Sequence, residues 1–407
     1  MRIIVVSDTF SPHVGYAEQA LPKALSALGA DVHVVTTRLP PYYNMKDFEK
    51  TYGGFTSEKS VPKTREEIDG YTVHYLDHST IAGSLRINGL HSTLRELRPE
   101  IVQVFSPTSW VPLELALLKP VLGYKLFTGN HTTASVFPLA QRPSSWWSRA
   151  RLKNFLVREA CGRAVSTQTE LCFAATRDCA DVAVRFLGVP ARKVVVTPLG
   201  VDTKLFSPPA SISDTEARRS TRSRLGFAED DIVCIYTGRF TADKNPLLLA
   251  QAIDALGPPF KGLFVGNGVQ RVEIAEVRNC QIHPFVPVHE LSRLFHAAEI
   301  GVWPTQESTS MLDAAACGLP IVVNDTLAAV ERIDGNGRTY RKNDVSSLVE
   351  VLSSLRDPAE RERLGKFGAS KMMRQFSWLS IAKARLSVYE QALKARTRKA
   401  RGLVASP

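Results

Sequence analysis

Ile232-Val233-Cys234-Ile235-Tyr236-Thr237-Gly238-Arg239-Phe240-Thr241-Ala242-Asp243-Lys244-Asn245-Pro246 opens as a buried strand and closes at the start of a helix. Its uninterrupted apolar run is what a strand covered on both faces requires. Gly238 ends the strand, Arg239 follows at once, and a polar loop leads to Lys244. Asn245 suits a helix cap and Pro246 a first helical turn, so the spacing predicts a helix over 246–256. Two cations at a strand's carboxyl end, beside a helix N-terminus, are suited to hold a diphosphate. The alternative is two solvated surface charges.

Outward from this stretch the rhythm repeats. Strands are expected at 262–265, 281–285, 301–303 and 321–323, a short helix at 310–317, and closing helices from Val345 and Pro358. In the first half, strands are expected at 3–6, 32–35, 101–105, 125–128, 164–166 and 194–196. Helices are expected over 16–28, ended by Gly29, and over 85–97. Apolar strands alternating with helices mean parallel sheets covered on both faces. The texture changes over Thr203–Glu229, where Ser207-Pro208-Pro209-Ala210-Ser211 precedes a charged stretch, and a linker is expected there. The fold class is therefore α/β, with two doubly wound Rossmann-like domains facing across a cleft. Their bounds are 1–205 and 206–377, followed by 378–407. Ligands bind beyond the carboxyl ends of such strands.

Composition sets outer limits. The 407 residues exceed one ordinary core, and 44% hydrophobic with 22% charged residues is ordinary for a globular chain. A net charge of +11 favours anionic partners. No nucleic-acid-binding motif stands out and the cations are dispersed, so nucleic acid is not an expected partner. Cys161, Cys172, Cys179, Cys234, Cys280 and Cys317 form no metal-ligand spacing and suit a reducing, cytoplasmic setting. Met1–Asp8 reads as a strand rather than a signal peptide, and no apolar run of about 18 residues is present. Lys394–Arg401 carries five basic residues and no acidic one, as a frayed helix end or tail would.

A second chemical signal runs from Trp303 through Glu307-Ser308-Thr309-Ser310-Met311-Leu312-Asp313 to Pro320. A strand again ends in a polar loop before a helix. Ser308, Thr309 and Ser310 offer caps and backbone N–H groups for a phosphate. Asp313, one turn into the helix, suits ribose hydroxyls, and Glu307 suits sugar hydroxyls or a capping role. Gly266-Asn267-Gly268 follows another strand and permits close backbone approach to a ligand, or is a plain turn. Gly15 sits in the loop after the first strand. His131, after the strand ending at Thr128, is either structural or faces the cleft. Arg149, Arg151, Lys153, Arg158 and Arg163 accompany Trp146, Trp147, Leu152, Phe155 and Leu156. That mixture suits an anionic bilayer surface, or an ordinary amphipathic helix.

Taken together the chain resembles family 4 of the glycosyltransferases, with the GT-B fold. The resemblance rests on Ser11-Pro12 to Gly15, Leu97 to Phe105, His131 and Pro198-Leu199-Gly200-Val201-Asp202. It continues through Gly238-Arg239, Lys244-Asn245-Pro246, Gly266-Asn267-Gly268, His283 to Leu291, Glu307, Asp313 to Pro320 and Val330-Glu331 to Gly337. It implies a retaining hexosyltransferase that moves sugar from a UDP-, GDP- or ADP-sugar to a hydroxyl acceptor: a glycan, a lipid-linked intermediate or a small molecule. It implies no obligatory metal and no other cofactor. Arg239 and Lys244 correspond to the diphosphate ligands, Asp313 to the ribose carboxylate, and Glu307 to the donor-sugar carboxylate. His131 corresponds to the residue at the reacting face, and Gly15 lets the N-terminal loop approach the diphosphate. Gly238, Gly266, Asn267, Gly268, Ser308, Thr309, Ser310 and Met311 complete the expected donor site. A final helix from about Trp378 crosses back to the first domain in similar proteins. Two departures stand out. The family's two glutamates are separated by seven residues, whereas Glu307 lies only six positions before Asp313. The family's paired glycine is here Gly15-Tyr16. Rival readings are a nucleotide-sugar epimerase and a non-catalytic nucleotide-sugar binder on the same fold. The expected setting is cytoplasmic, either soluble or at the inner face of a membrane.

Overall fold

The computed structural model describes residues 1–45, 48–49, 51–52, 64–81, 83–141 and 148–404, leaving aside the side chains beyond 395. The chain forms two compact units. The first comprises Met1–Pro41, Ser60–Leu199 and Trp378–Pro407, and the second Tyr42–Lys59 and Gly200–Ser377. The junction thus falls at Leu199/Gly200, six residues ahead of the expected 205/206 boundary.

The strands of the first unit are β1 Arg2–Val6, β2 Asp31–Thr37, β3 Arg65–Ile68, β4 Tyr71–Leu76, β5 His78–Ile81, β6 Ser84–Ile87, β7 Ile101–Val104, β8 Lys125–Asn130, β9 Thr169–Ala174 and β10 Val194–Val196. Eight of them form one sheet in the order β10-β9-β8-β7-β1-β2-β4-β3. Every pairing is parallel except that of β3 with β4. The period-2 alternation of a strand explains the apolar run of β1. Ile3 and Val5 pack with Leu21 and Leu25 of the helix Ala17–Ala27, while Ile4 and Val6 pack with Leu90, Leu94 and Leu115 on the opposite face. The helix Trp378–Val404 lays Trp378, Ile381, Ala382 and Tyr389 on the Ile3 face. It is pinned by the Tyr389 hydroxyl, which donates to Gln103 Oε1 at 3.0 Å.

The second unit has six parallel strands: β11 Ile232–Thr237, β12 Phe260–Val265, β13 Cys280–His283, β14 Ile300–Trp303, β15 Ile321–Asn324 and β16 Gly337–Tyr340. Their order is β13-β12-β11-β14-β15-β16, so the direction of winding reverses between β11 and β14.

Several expectations are corrected. Residues 164–166 are helical, within Ala160–Gln168; the strand is the following Thr169–Ala174, whose β-branched and aromatic residues pair with β8. The helix expected over 85–97 is only Leu90–Leu97, because Ser84–Ile87 pairs antiparallel with His78–Ile81 and Gly89 turns the chain at φ +82°. The expected linker holds the helix Ile212–Arg224, opened by a capping box between Ser211 and Asp214. Its buried Arg222 reaches the Ala297 carbonyl at 2.9 Å and Glu299 at 3.0 Å, which fastens the helix to the second unit. Residues 394–401 continue the last helix rather than fraying from it.

Candidate functional site

Where a doubly wound sheet reverses its winding, the loops leaving the two central strands separate and open a crevice at their carboxyl ends. Here those are the loops after β11 and β14, which carry the two polar stretches singled out in the sequence. They are tied together. Thr237 Oγ1 donates to Ser310 Oγ at 2.8 Å, and Ser310 Oγ lies 2.8 Å from Ser308 Oγ. Trp303 Nε1 donates to the Thr237 carbonyl at 3.1 Å, and Lys244 Nζ donates to the Glu307 carbonyl at 3.2 Å.

The loop after β12 joins them. Phe240 N donates to the Asn267 carbonyl at 2.8 Å, and Gln270 N donates to the Phe240 carbonyl at 3.0 Å. A Cβ on Gly266 would overlap the Gly238 carbonyl oxygen, and one on Gly268, at φ +149°, would come within 2.6 Å of the Phe240 carbonyl. The two glycines are therefore required by contact between neighbouring loops, whatever ligand they also admit.

The helix starts differ from expectation. Asn245 adopts the left-handed region at φ +48° and makes no side-chain cap, so the turn relies on the tolerance of Asn for that conformation. Thr309 makes no side-chain cap to the helix Ser310–Ala316; Ser308 Oγ instead accepts from Ser310 N at 3.4 Å, and Ser308 N points at the buried Met311 sulfur.

The electrostatics are uneven. Burial pushes the Lys244 ammonium down to about 8, and neighbouring Arg239 adds to the effect, while Asp243 and Glu307 oppose it. Arg239 lies 3.7 Å from Asp243. The Asp313 carboxyl is pushed up to about 8, first by burial and then by the Asp202 carboxylate. The hydroxyls of Thr241 and Thr305, one in each loop, are enclosed without a hydrogen-bond partner among the described residues. Such oxygens are costly to leave unsatisfied, so they are ready acceptors or donors for a polar ligand.

Glu307 does not stand open in its loop. Its carboxylate accepts from Arg332 Nη1 at 2.9 Å, with 6% of the Arg332 and 11% of the Glu307 side chain exposed. Arg332 sits in the tight turn Val330–Arg332. Buried Lys371 secures that turn by donating to the carbonyls of Glu331 and Asp334, each at 2.8 Å, and to Asn336 Oδ1 at 2.6 Å. Asp202 and Arg332 lie within stretches that carry the family resemblance but take no site role from it, and Lys371 was not legible, since no local spacing marks it.

In the first unit, Gly15 turns its loop at φ +67°, with its N–H donating to Gln19 Oε1 at 3.0 Å. His131 directly follows β8 and packs its ring 5.4 Å from that of Phe105. A second feature of this unit lies over 149–163. Leu152, Phe155, Leu156 and Val157 are exposed among exposed Arg149, Lys153, Arg158 and Arg163. Arg151 is turned inward instead, donating to the Arg185 carbonyl at 3.0 Å and covering the Phe186 ring. Trp146 and Trp147 lie outside the described residues. Among the described residues no helix is long and apolar enough to cross a membrane.

Comparison with known proteins agrees with this architecture. Residues 19–205 match the family model described as Glycosyltransferase Family 4, and residues 231–357 match that of Glycosyl transferases group 1. A D-inositol 3-phosphate glycosyltransferase of Xylanimonas cellulosilytica is 32% identical over 275 residues, which span 61% of this chain and 65% of that protein. Among solved structures, the sucrose-phosphate synthase of Thermosynechococcus elongatus aligns over 97% of this chain and 99% of its own, with a TM-score of 0.69 at 17% identity. The Anabaena protein Alr3699/HepE, in complex with UDP, aligns over 96% and 100%, with a TM-score of 0.70 at 13% identity. The two solved structures have this chain's fold.

Proposed function

The chain belongs to glycosyltransferase family 4 and has the GT-B fold, and from that premise we propose that it moves a sugar from a nucleoside-diphosphate sugar to a hydroxyl acceptor with retention. The observation that carries the reading is Lys244. It is a largely enclosed ammonium beside a second cation, at the point where the sheet reverses, and its hydrogen bond goes to a neutral carbonyl. Taking a cation out of water is unfavourable unless an anion compensates. A bound diphosphate compensates both Lys244 and Arg239. The binding of UDP by Alr3699/HepE supports the same class of donor.

In the reaction, the bond between the anomeric carbon and the diphosphate oxygen breaks and its electron pair leaves with the diphosphate. The acceptor oxygen bonds to the anomeric carbon, and its proton passes to the departing phosphate on the same face. Negative charge grows on the leaving group, so Arg239 and Lys244 bind the transition state more tightly than the donor. Gly238, Gly266, Asn267, Gly268, Ser308, Thr309 and Ser310 line the donor, with buried Met311 behind Ser308. Asp313 takes the ribose hydroxyls. Glu307 acts at the sugar. With protein cations in this role the transfer requires no metal. The acceptor is a glycan, a lipid-linked intermediate or a small molecule. The exposed apolar and basic strip over 149–163 supports work at an anionic membrane surface. The free cysteines suit a reducing compartment.

Thermal melts with UDP-, GDP- and ADP-sugars test the donor. A stabilising ligand at 100 times its Kd adds about 2.7 kcal/mol to the native state. Product analysis with that donor then reports the anomeric configuration. A chain that no member of the panel stabilises would refute the donor assignment.

A further inference from the structure

Glu307 is joined to Lys244 through its backbone and to Arg332 through its side chain. Its carboxylate thus belongs to the same residue as the carbonyl that Lys244 already touches, and it exerts an electrostatic pull on that ammonium. Two cations thus meet one residue, Lys244 at its carbonyl and Arg332 at its carboxylate. The choice is built in from behind. Lys371, 5% exposed, spends three hydrogen bonds on the segment 331–336, one of them on Glu331 in the turn that carries Arg332, and the Arg332 N–H is held by the Ala329 carbonyl at 3.0 Å. A planar guanidinium in a fixed turn is a better partner for a carboxylate than a flexible ammonium.

We propose that Arg332 is a positioning residue: by holding the Glu307 carboxylate it keeps that carboxylate off Lys244, so the ammonium stays open to the phosphate of an anionic ligand. The ligand rests on the function proposed above; the competition between the two cations does not. Without Arg332, the Glu307 carboxylate would lose the guanidinium that holds it at 2.9 Å, and Lys244 is the ammonium that already touches the Glu307 backbone. A Lys244–Glu307 pair would have to be broken by every incoming phosphate. Among the described residues, the other charged groups acting on Lys244 are Arg239, which repels it, and Asp243, which lies 3.7 Å from Arg239.

The test uses the full chain as wild type, Arg332→Met, and Arg332→Met with Glu307→Gln, in two measurements. The first needs no ligand: acylation of Lys244 by acetic anhydride at pH 8, followed by peptide mass spectrometry against an exposed lysine as reference. Pairing with a carboxylate protonates and shields the amine. We expect at least threefold slower acylation in Arg332→Met and a return to the wild-type rate in the double variant. The second is titration with inorganic pyrophosphate, which avoids the identity of the base. We expect affinity at least tenfold weaker in Arg332→Met and restored to within threefold in the double variant. A merely structural role for Arg332 leaves the double variant as weak as the single one, and that result, or unchanged acylation in Arg332→Met, overturns the proposal. If wild type ignores both pyrophosphate and every nucleotide, the donor reading fails while acylation still decides the question of Arg332.

Discussion

Replacing Asp313 by asparagine should make this protein more stable near neutral pH while weakening its hold on nucleotides. A carboxyl pushed up from 3.8 to about 8 holds its proton more tightly folded than unfolded. The folded state then binds more protons than the unfolded one between those two values, so stability falls as pH rises. This contribution is fully present below pH 3.8 and is lost as pH rises through about 8. Each pH unit inside the window is worth about 1.4 kcal/mol, and the whole interval sets a ceiling of about 6 kcal/mol. The side chain is only partly buried, so solvent lowers the figure, and we expect about 2–4 kcal/mol at pH 7.5. Asparagine keeps the shape and carries no charge. For a unit of this size, 1 kcal/mol moves Tm by about 2–4 °C. The assay is a set of melts of both proteins from pH 5 to 8.5, where Asp313→Asn should show the flatter pH dependence and the higher Tm at the alkaline end. Lys244 and Lys371 are also displaced to about 8, but theirs is a depression, which acts above that pH and cancels in the difference. Titration of the variant with free nucleoside diphosphate and nucleotide sugar should show both weakened alike, because ribose is common to them. Coincident melting curves across the window would refute the electrostatic argument, and undiminished nucleotide affinity would refute the ribose assignment.

Arg239→Ala and Lys244→Ala should each lower kcat/KM at least tenfold, which about 1.4 kcal/mol of lost transition-state stabilisation produces; full activity in both variants would remove the diphosphate clamp. Activity should survive EDTA, and a loss restored by magnesium or manganese would show that an ion carries the charge instead. Glu307→Gln strips an enclosed arginine of its anion, so the fold should lose about 3 kcal/mol while free nucleoside diphosphate still binds; turnover should fall if Glu307 meets the sugar. Flotation with anionic liposomes at low salt should carry the wild type upward, and Leu152→Ser with Phe155→Ser should abolish it; failure of the wild type to float would leave the strip as ordinary surface.

The apolar runs by themselves determined most of the fold. In the second unit β11, β12, β14 and β15 are short, largely buried apolar runs that their neighbours in the chain are enough to reveal, whereas β13, Cys280-Gln281-Ile282-His283, is only partly buried. The expected polar loops after β11 and β14 follow from the same pattern, as does the presence of cations in the first. Periodicity misled where a few apolar residues fit either period. Ala164-Val165-Ser166 turned out helical, and Ser84–Ile87 joined a hairpin whose partner strand, His78-Ser79-Thr80-Ile81, is mostly polar. What only the tertiary structure decided is partnership. Arg332 meets Glu307 across 25 positions of sequence, burial and then Asp202 from another loop raise Asp313, and Gly266 is required by the carbonyl of Gly238 as well as by its own backbone at φ +152°. Hydrophobic burial writes a repeating signal along the chain because each turn or pleat contributes to it. A charge pair, a displaced proton affinity or a backbone contact depends on which distant atoms share one enclosed space, and that is decided only when the sheet closes and its loops meet.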